Sequence, residues 1–133
     1  MIVLDTHVLL WMDAQPGLLG PGARQSIAAS WPHGEVAVSA ITFWEVAMLR
    51  ERGRIEMPMP VDAWRAELLA AGLRELPLDG ATACRAVMLQ GLHRDPADRF
   101  IVAAAGQASA RLLTADALIL GWEGPVERVD ARL

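Results

Sequence analysis

The segment MIVLDTHVLLWM, residues 1–12, changes its hydrophobic pattern at Asp5 and indicates how the chain folds. Residues 2–4 form a short apolar run with β-branched side chains, which is typical of a buried strand. The residues that follow Asp5 have the longer apolar pattern of a helix. The segment therefore predicts a buried strand that passes directly into a helix.

The same alternation continues along the chain and predicts a parallel sheet flanked by helices. We expect strands at residues 2–4, 36–38, 73–76, 112–113 and 126–129. We expect helices at residues 6–12, 22–30, 40–52, 62–71, 80–92, 96–109 and 116–121. Asp62 and Asp79 follow proline-containing turns and are expected to be ordinary helix caps.

Length and composition favour one compact domain over residues 1–133, with 53% hydrophobic and 21% charged residues. No apolar run approaches the roughly 20 residues that a membrane helix needs. The opening segment has no basic leader, so we expect a cytoplasmic protein without a membrane association. The single cysteine, Cys84, is expected to be a packed thiol.

The charge pattern excludes several functional classes. The net charge is −4, which argues against holding nucleic acid by bulk positive charge alone. All 12 basic residues are arginine. The absence of lysine excludes a Walker phosphate loop, a lysine Schiff base and the lysine-dependent switch of receiver domains.

The segment HRDPADRFIVAAAG, residues 93–106, places two aspartates before an apolar helix. Asp95 has an ordinary explanation as the cap of a helix that begins at Pro96. Asp98 lies inside the first turn, with Ile101 and Val102 three and four residues on, so its carboxylate is on the inward face. Because burying an unpaired carboxylate is costly, we expect a counter-charge near Asp98.

Three further acids follow the same rule, because each lies at the end of a strand or on the inward face of the next helix. The four acids are Asp5, Glu45, Asp98 and Asp116. The carboxyl ends of parallel strands are neighbours, and the crevice outside them binds ligands. Taken singly, each acid is more simply explained as a cap, a surface charge or a salt-bridge partner. The metal site is predicted from the joint pattern, because caps need not be followed by apolar residues three and four positions on.

Four carboxylates in one crevice repel each other, by about 4 kcal/mol per pair at ~4 Å and an effective dielectric near 20. No lysine is available, and the nearest arginines in sequence, Arg94 and Arg99, flank only Asp98. Oxygen ligands without cysteine or paired histidine select a hard cation, Mg²⁺ or Mn²⁺. The pattern therefore predicts metal-dependent hydrolysis of a phosphodiester.

Four segments together resemble the PIN domain, in particular the VapC-type ribonuclease toxins of toxin-antitoxin pairs: MIVLDTHVLLW (1–11), VAVSAITFWEVAML (36–49), LHRDPADRFIVAAA (92–105) and LLTAD (112–116). The resemblance implies a three-layer α/β/α sandwich around a parallel sheet of about five strands. It also implies an endoribonuclease whose Mg²⁺ or Mn²⁺ is held by Asp5, Glu45, Asp98 and Asp116, a homodimer, and a cognate VapB-like antitoxin. An antitoxin arginine or lysine that entered the acidic crevice would replace the cation.

Residues next to the acids are secondary candidates. Thr6, Ser39 and Thr114 are placed to hydrogen-bond a carboxylate or a water at the ion, although helix capping explains them equally well. Asp95 would orient water or Arg99. Possible RNA contacts are Arg50, Arg52, Arg94 and Arg99, with a solvated surface as the alternative.

Histidine and tryptophan are expected to play supporting roles. His7 and His93 lack the spacing of a transition-metal site, which favours structural or RNA-contacting roles over ligation. The helical residues Trp11, Trp44 and Trp64 are expected in the core.

The sequence thus predicts a ribonuclease toxin in which a water attacks phosphorus in line and leaves a 5′ phosphate. The alternative is a catalytically inactive PIN-like module that binds RNA or protein, against which the four intact acids argue. A phosphatase of similar architecture would need a second aspartate where His7 stands, and a phosphoreceiver would need a lysine.

Overall fold

A computed structural model describes residues 1–133 and contains five strands and seven α-helices. The strands are β1 (Ile2–Leu4), β2 (Val36–Ser39), β3 (Arg74–Leu76), β4 (Arg111–Thr114) and β5 (Arg128–Asp130). The helices are α1 (Thr6–Ala14), α2 (Pro21–Ser30), α3 (Ile41–Glu51), α4 (Val61–Ala71), α5 (Gly80–Val87), α6 (Pro96–Gln107) and α7 (Ala117–Leu120).

The five strands form one parallel sheet in the order β3-β2-β1-β4-β5. From β1 the chain builds outward through β2 and β3, and it then returns to the other side of β1 to add β4 and β5. The strand order therefore reverses between β1 and β4. A crevice opens at such a switch point, outside the carboxyl ends of the strands, and it is where open α/β sheets bind ligands.

The core has two parts, one on each face of the sheet. Ile2 and Leu4 of β1 pack on one face, in a cluster that includes residues of α1, α2 and α4. Val3 points to the opposite face, where it joins Ile101 and Val102 of α6. Successive side chains of a strand point to opposite faces, so helices cover both sides of the sheet. The predicted three-layer α/β/α class is confirmed.

One helix is shorter than its sequence pattern predicts. The expected helix over residues 80–92 ends at Val87 as α5. The guanidinium of Arg99 accounts for the early end, because it donates hydrogen bonds to the carbonyls of Ala86, Leu89, Leu92 and His93. Gly91 adopts a φ of 80°, which a helix does not permit. These contacts hold residues 88–95 as a compact loop beside the start of α6.

Three expectations about individual residues are wrong. Trp44 is 55% exposed, because its position on α3 faces away from the layers that bury Phe43 and Val46. Cys84 is exposed on α5 rather than packed. Asp62 is not the cap of α4, which begins at Val61.

None of the seven helices has the length and apolar character needed to cross a membrane.

Candidate active site

A cavity of about 580 Å³ opens at the carboxyl ends of β1 and β4. All four acids predicted as ligands line it. The lining residues are Asp5, Thr6, His7, Trp11, Leu18, Glu45, Asp95, Asp98, Ala115, Asp116 and Arg132. The cavity thus lies at the switch point of the sheet, and residues from β1 to the carboxyl terminus contribute to it.

Asp5 connects the end of β1 to the end of β4, its neighbour in the sheet. It follows β1 and caps α1, and its Oδ1 accepts a hydrogen bond from the Thr6 amide at 2.8 Å. Its Oδ2 accepts from the Thr114 hydroxyl at 2.6 Å. Only 8% of Asp5 is exposed, and this burial raises the pKa of its carboxyl, although the bonds from Thr114 and Thr6 oppose the shift.

Glu45 is oriented by two threonines from different helices. Its Oε1 accepts a 2.6 Å hydrogen bond from the Thr6 hydroxyl. The Thr6 and Thr42 hydroxyl oxygens are 3.0 Å apart. Because Thr6 donates its only hydroxyl proton to Glu45, it accepts a hydrogen bond from the Thr42 hydroxyl. Burial raises the pKa of Glu45, and the nearby charges of Asp5 and Asp98 raise it further.

Asp98 lies in the first turn of α6, and 14% of its side chain is exposed. Its Oδ2 is 2.6 Å from Nε2 of His93. Burial raises the pKa of Asp98 to about 6, although the His93 hydrogen bond opposes the shift. His93, Asp98 and Asp116 each present one ligand atom, and these three atoms lie within 4.8 Å of one another. Asp5 and Glu45 do not belong to this group, but they line the cavity together with Asp98 and Asp116.

Asp116 caps α7, and its Oδ1 accepts hydrogen bonds from the amides of Leu118 at 2.8 Å and Ile119 at 3.2 Å. Its own amide donates to the Thr114 hydroxyl at 3.0 Å. The Thr114 hydroxyl therefore accepts from Asp116 and donates to Asp5. This one side chain sets the relative position of the two acids at the switch point.

The other predicted residues have mixed placements. Thr6 and Thr114 contact the acids as expected, but Ser39 accepts from the Ile41 amide at 3.3 Å and bonds to no acid. Asp95 lines the cavity and caps α6 through the Ala97 amide at 3.0 Å, without a side-chain bond to Arg99.

The arginines divide into an internal group and an exposed group. Arg99, predicted as an RNA contact, is in the internal group, because its guanidinium donates to four backbone carbonyls. Arg50, Arg52 and Arg94 are exposed and make no hydrogen bond or ion pair through their side chains. Arg132, which sequence reasoning missed, lines the cavity and forms an ion pair with Asp130 at 2.9 Å.

Two other site residues escaped the sequence analysis in their observed roles. Thr42 lies three residues before Glu45 on α3, so the helical period gave a signal that both share a face. His93 was expected to be structural or RNA-contacting, but it contacts Asp98. No periodic pattern reports that contact, because His93 lies in a loop.

The donor atoms of the cavity fit a hard divalent cation. The arginine ion pairs of the protein are Arg65 with Glu75 and Arg132 with Asp130, and the one basic side chain that contacts any of the four acids is the imidazole of His93, so no arginine neutralises them. Carboxylate and hydroxyl oxygens are the groups that Mg²⁺ and Mn²⁺ prefer. An ion held by these acids would offset the cost of burying their charge.

The strand order and the cavity together define an α/β domain with an acidic site at its switch point. The family model of the PIN domain matches residues 2–119 of the chain. The protein belongs to the PIN domain family, and the resemblance seen in its sequence is confirmed.

Similar proteins place the chain near the VapC branch of that family. It is 38% identical over 116 residues to Ribonuclease VapC22 of Mycobacterium tuberculosis (strain ATCC 25618 / H37Rv), a match that covers 86% of each chain. The structure of VapBC2 from Rickettsia felis bound to a promoter DNA fragment matches with a TM-score of 0.69 and 15% identity, over 98% of this chain and 100% of that one. A toxin-antitoxin complex from Klebsiella pneumoniae matches with a TM-score of 0.66 and 20% identity, over 98% of each chain. These two structures support the fold.

Proposed function

We propose that this protein is a divalent-metal-dependent endoribonuclease, the toxin of a toxin-antitoxin pair, built as a single nuclease domain over residues 1–133. The observation that carries the proposal is the convergence of four acids on one cavity, none of them ion-paired with an arginine. The 38% identity to a protein named Ribonuclease VapC22 supports RNA as the substrate.

In this proposal Asp5, Glu45, Asp98 and Asp116 hold Mg²⁺ or Mn²⁺ in the cavity. The ion, when bound, supplies Lewis-acid stabilisation of charge at a phosphodiester and makes water a better nucleophile. Hydrogen bonds within the protein hold the acids in position. Thr114 holds the Asp5 carboxylate at 2.6 Å, and Thr6 holds Glu45 at 2.6 Å. The acids are therefore in place before substrate arrives, which lowers the cost of assembling the site.

Substrate binding needs positive charge near a cavity that is itself acidic. The exposed guanidinium groups of Arg50, Arg52 and Arg94 are free of partners in the fold, and we assign them to phosphate contacts along the RNA. Because the protein has a net charge of −4, repulsion disfavours RNA near the acids unless an ion is bound. Metal binding is therefore expected to strengthen RNA binding as well as permit cleavage.

The partner in the proposal is an antitoxin protein, since the structural neighbours include toxin-antitoxin and VapBC complexes. A basic antitoxin side chain that entered the cavity would compete with the cation for the same carboxylates. We further propose that the toxin is a homodimer and acts in the cytoplasm, where its RNA substrates are found.

Cleavage assays with purified protein test the proposal. RNA should be cut with Mg²⁺ or Mn²⁺ and left intact with EDTA. Asp5→Asn and Glu45→Gln should abolish cleavage, whereas the exposed Glu127→Gln should retain it as a matched loss of one charge. Cleavage in EDTA, or undiminished cleavage by Asp5→Asn, would contradict the metal mechanism. Metal-independent RNA binding without cleavage would instead support an inactive binding module.

A further inference from the structure

His93 lies in the loop before α6, outside the lining of the cavity, and contacts one of the cavity's acids. Its Nε2 is 2.6 Å from Oδ2 of Asp98, and 20% of its side chain is exposed. Its other ring nitrogen, Nδ1, is buried and has no hydrogen-bond partner. The two nitrogens thus differ, because Nε2 contacts a carboxylate and Nδ1 has no hydrogen-bond partner.

This asymmetry distinguishes two roles for the ring. An imidazole that ligates a metal through Nε2 carries its proton on Nδ1 and almost always donates it to a carboxylate, a carbonyl or water. Here that donor would be buried without an acceptor, which costs about 1–3 kcal/mol. When the proton is on Nε2 instead, it is donated to Oδ2 of Asp98, and Nδ1 is a buried acceptor without a partner, which also carries a cost. The 2.6 Å contact separates the two roles, because Nε2 without a proton and an ionised Oδ2 would be two acceptors facing each other. The geometry therefore favours donation to Asp98 over ligation.

The loop that carries His93 is held by the residue next to Asp98. Nε of Arg99 donates to the His93 carbonyl at 2.9 Å, and Nη2 donates to the Leu92 carbonyl at 2.6 Å. Asp98 and Arg99 are consecutive on α6, so the helix that presents the acid also fixes the backbone of the histidine that contacts it. The segment HRDPADR, residues 93–99, is therefore one structural unit.

We propose that His93 is a positioning residue that donates from Nε2 to Oδ2 of Asp98 and leaves Oδ1 as the oxygen presented to the ion. The inference rests on the proposed metal site. A hydrogen bond of 2.6 Å to one oxygen would fix the orientation of the Asp98 carboxylate, so that its other oxygen would be the one free to meet an ion.

Mn²⁺ titration by calorimetry tests the proposal without relying on activity. His93→Gln places an amide N–H donor near the Nε2 position, whereas His93→Ala removes the donor. We expect His93→Ala to weaken Mn²⁺ binding by about 10–100-fold and His93→Gln to retain most of the affinity. Unfolding in EDTA checks that each variant is folded. Equal Mn²⁺ affinity of His93→Ala and wild type would overturn the proposal.

Pulsed EPR of the Mn²⁺-loaded protein gives a second test that does not depend on the alanine variant. We expect the same spectrum for wild type and His93→Gln. A directly coordinated ¹⁴N signal that is present in wild type and lost in His93→Gln would make His93 a ligand and overturn the proposal. Failure of wild type to bind Mn²⁺ at all would contradict the proposed function itself, so the two failures are distinguishable.

Discussion

The hydroxyl of Thr114, at the end of β4, donates a 2.6 Å hydrogen bond to Oδ2 of Asp5, at the end of β1. Thr114 is fully buried, and Asp5 is 8% exposed. This contact joins β1 and β4 at the position where the strand order reverses.

The first prediction concerns this hydrogen bond. Thr114→Val keeps the shape of the side chain but removes one of the two donors to the buried carboxylate of Asp5 and the acceptor of the Asp116 amide. We expect the free energy of unfolding to fall by about 1–3 kcal/mol, as measured by urea denaturation in EDTA. Thr114→Ser keeps the hydroxyl and should lose much less. Equal losses in the two variants would show that packing, rather than the hydrogen bond, is responsible.

The second prediction concerns pH. Burial raises the pKa of Asp98 to about 6, so the folded state binds this proton more tightly than the unfolded state does. The associated stability is complete below the ordinary pKa of 3.8 and is lost as pH rises through about 6. Between pH 5.5 and 8, the metal-free protein should lose about 1 kcal/mol through Asp98. Burial shifts the pKa of Asp5 and Glu45 in the same direction.

The variant that isolates this effect is Asp98→Asn. Its unfolding free energy in EDTA should change less between pH 5.5 and 8, and it should exceed that of wild type at pH 8. The exposed Glu127→Gln removes the same charge and should keep the wild-type profile. A profile of Asp98→Asn that is parallel to wild type would contradict the assignment.

The third prediction concerns the orientation of Glu45. Thr6→Val removes the hydroxyl that donates to Glu45 at 2.6 Å but keeps the amide that donates to Asp5. We expect Mn²⁺ affinity and RNA cleavage to fall by about tenfold or more, because outer hydrogen-bond partners position metal ligands. Thr6→Ser keeps the hydroxyl and should retain most of the Mn²⁺ affinity and most of the RNA cleavage. The opposite result, a fully active Thr6→Val protein, would show that Glu45 needs no such support.

The fourth prediction concerns Arg99 as a structural residue. Arg99→Met removes donors to four backbone carbonyls and should lower the free energy of unfolding by about 2–4 kcal/mol. Arg94→Met is the matched control, because Arg94 is exposed and makes no side-chain hydrogen bond. Thermal unfolding would measure both. A larger loss in Arg94→Met than in Arg99→Met would refute the structural assignment.

The fifth prediction concerns RNA binding. In an Asp116→Asn background that prevents cleavage, replacing Arg50, Arg52 or Arg94 by glutamine should weaken RNA binding. It should also reduce the slope of affinity against salt by about 0.7 for each lost phosphate contact. Arg111→Gln is the control, because Arg111 begins β4, at the end of the sheet away from the cavity. An equal effect of Arg111→Gln would indicate a nonspecific loss of charge.

Much of the fold was predictable because hydrophobic period is a local property. β1 occupies the predicted residues, and α1 begins at the predicted Thr6. The end of α5 was not predictable, because the apolar pattern continues to Leu92 while a guanidinium from another helix draws the carbonyls away. The exposure of Trp44 was also missed. The placement of the other helices decides which face of α3 is left uncovered, and the sequence of α3 does not show that placement.

The positions of the four acids could be inferred because each one follows a strand or lies on the inward face of the next helix, and parallel strands bring such positions to one edge. The groups that hold the acids could not be inferred in the same way. Thr114 and Asp5 are 109 residues apart, and His93 contacts Asp98 from a loop. The sequence also contains no sign that Arg99 is internal, and it was predicted to contact RNA. Its partners are backbone carbonyls, which no side-chain pattern reveals.

The sequence by itself determined the alternation of strands and helices, the absence of lysine and the location of acids at strand ends, because these depend on neighbours along the chain. Only the tertiary structure decided which side chains hydrogen-bond those acids and which arginines remain exposed. The physical reason is that the strand order brings β4 beside β1, and that the packing of α5 against α6 brings Arg99 to the loop between these two helices. A hydrogen bond requires positions accurate to a few tenths of an ångström, and such positions follow from packing rather than from periodicity.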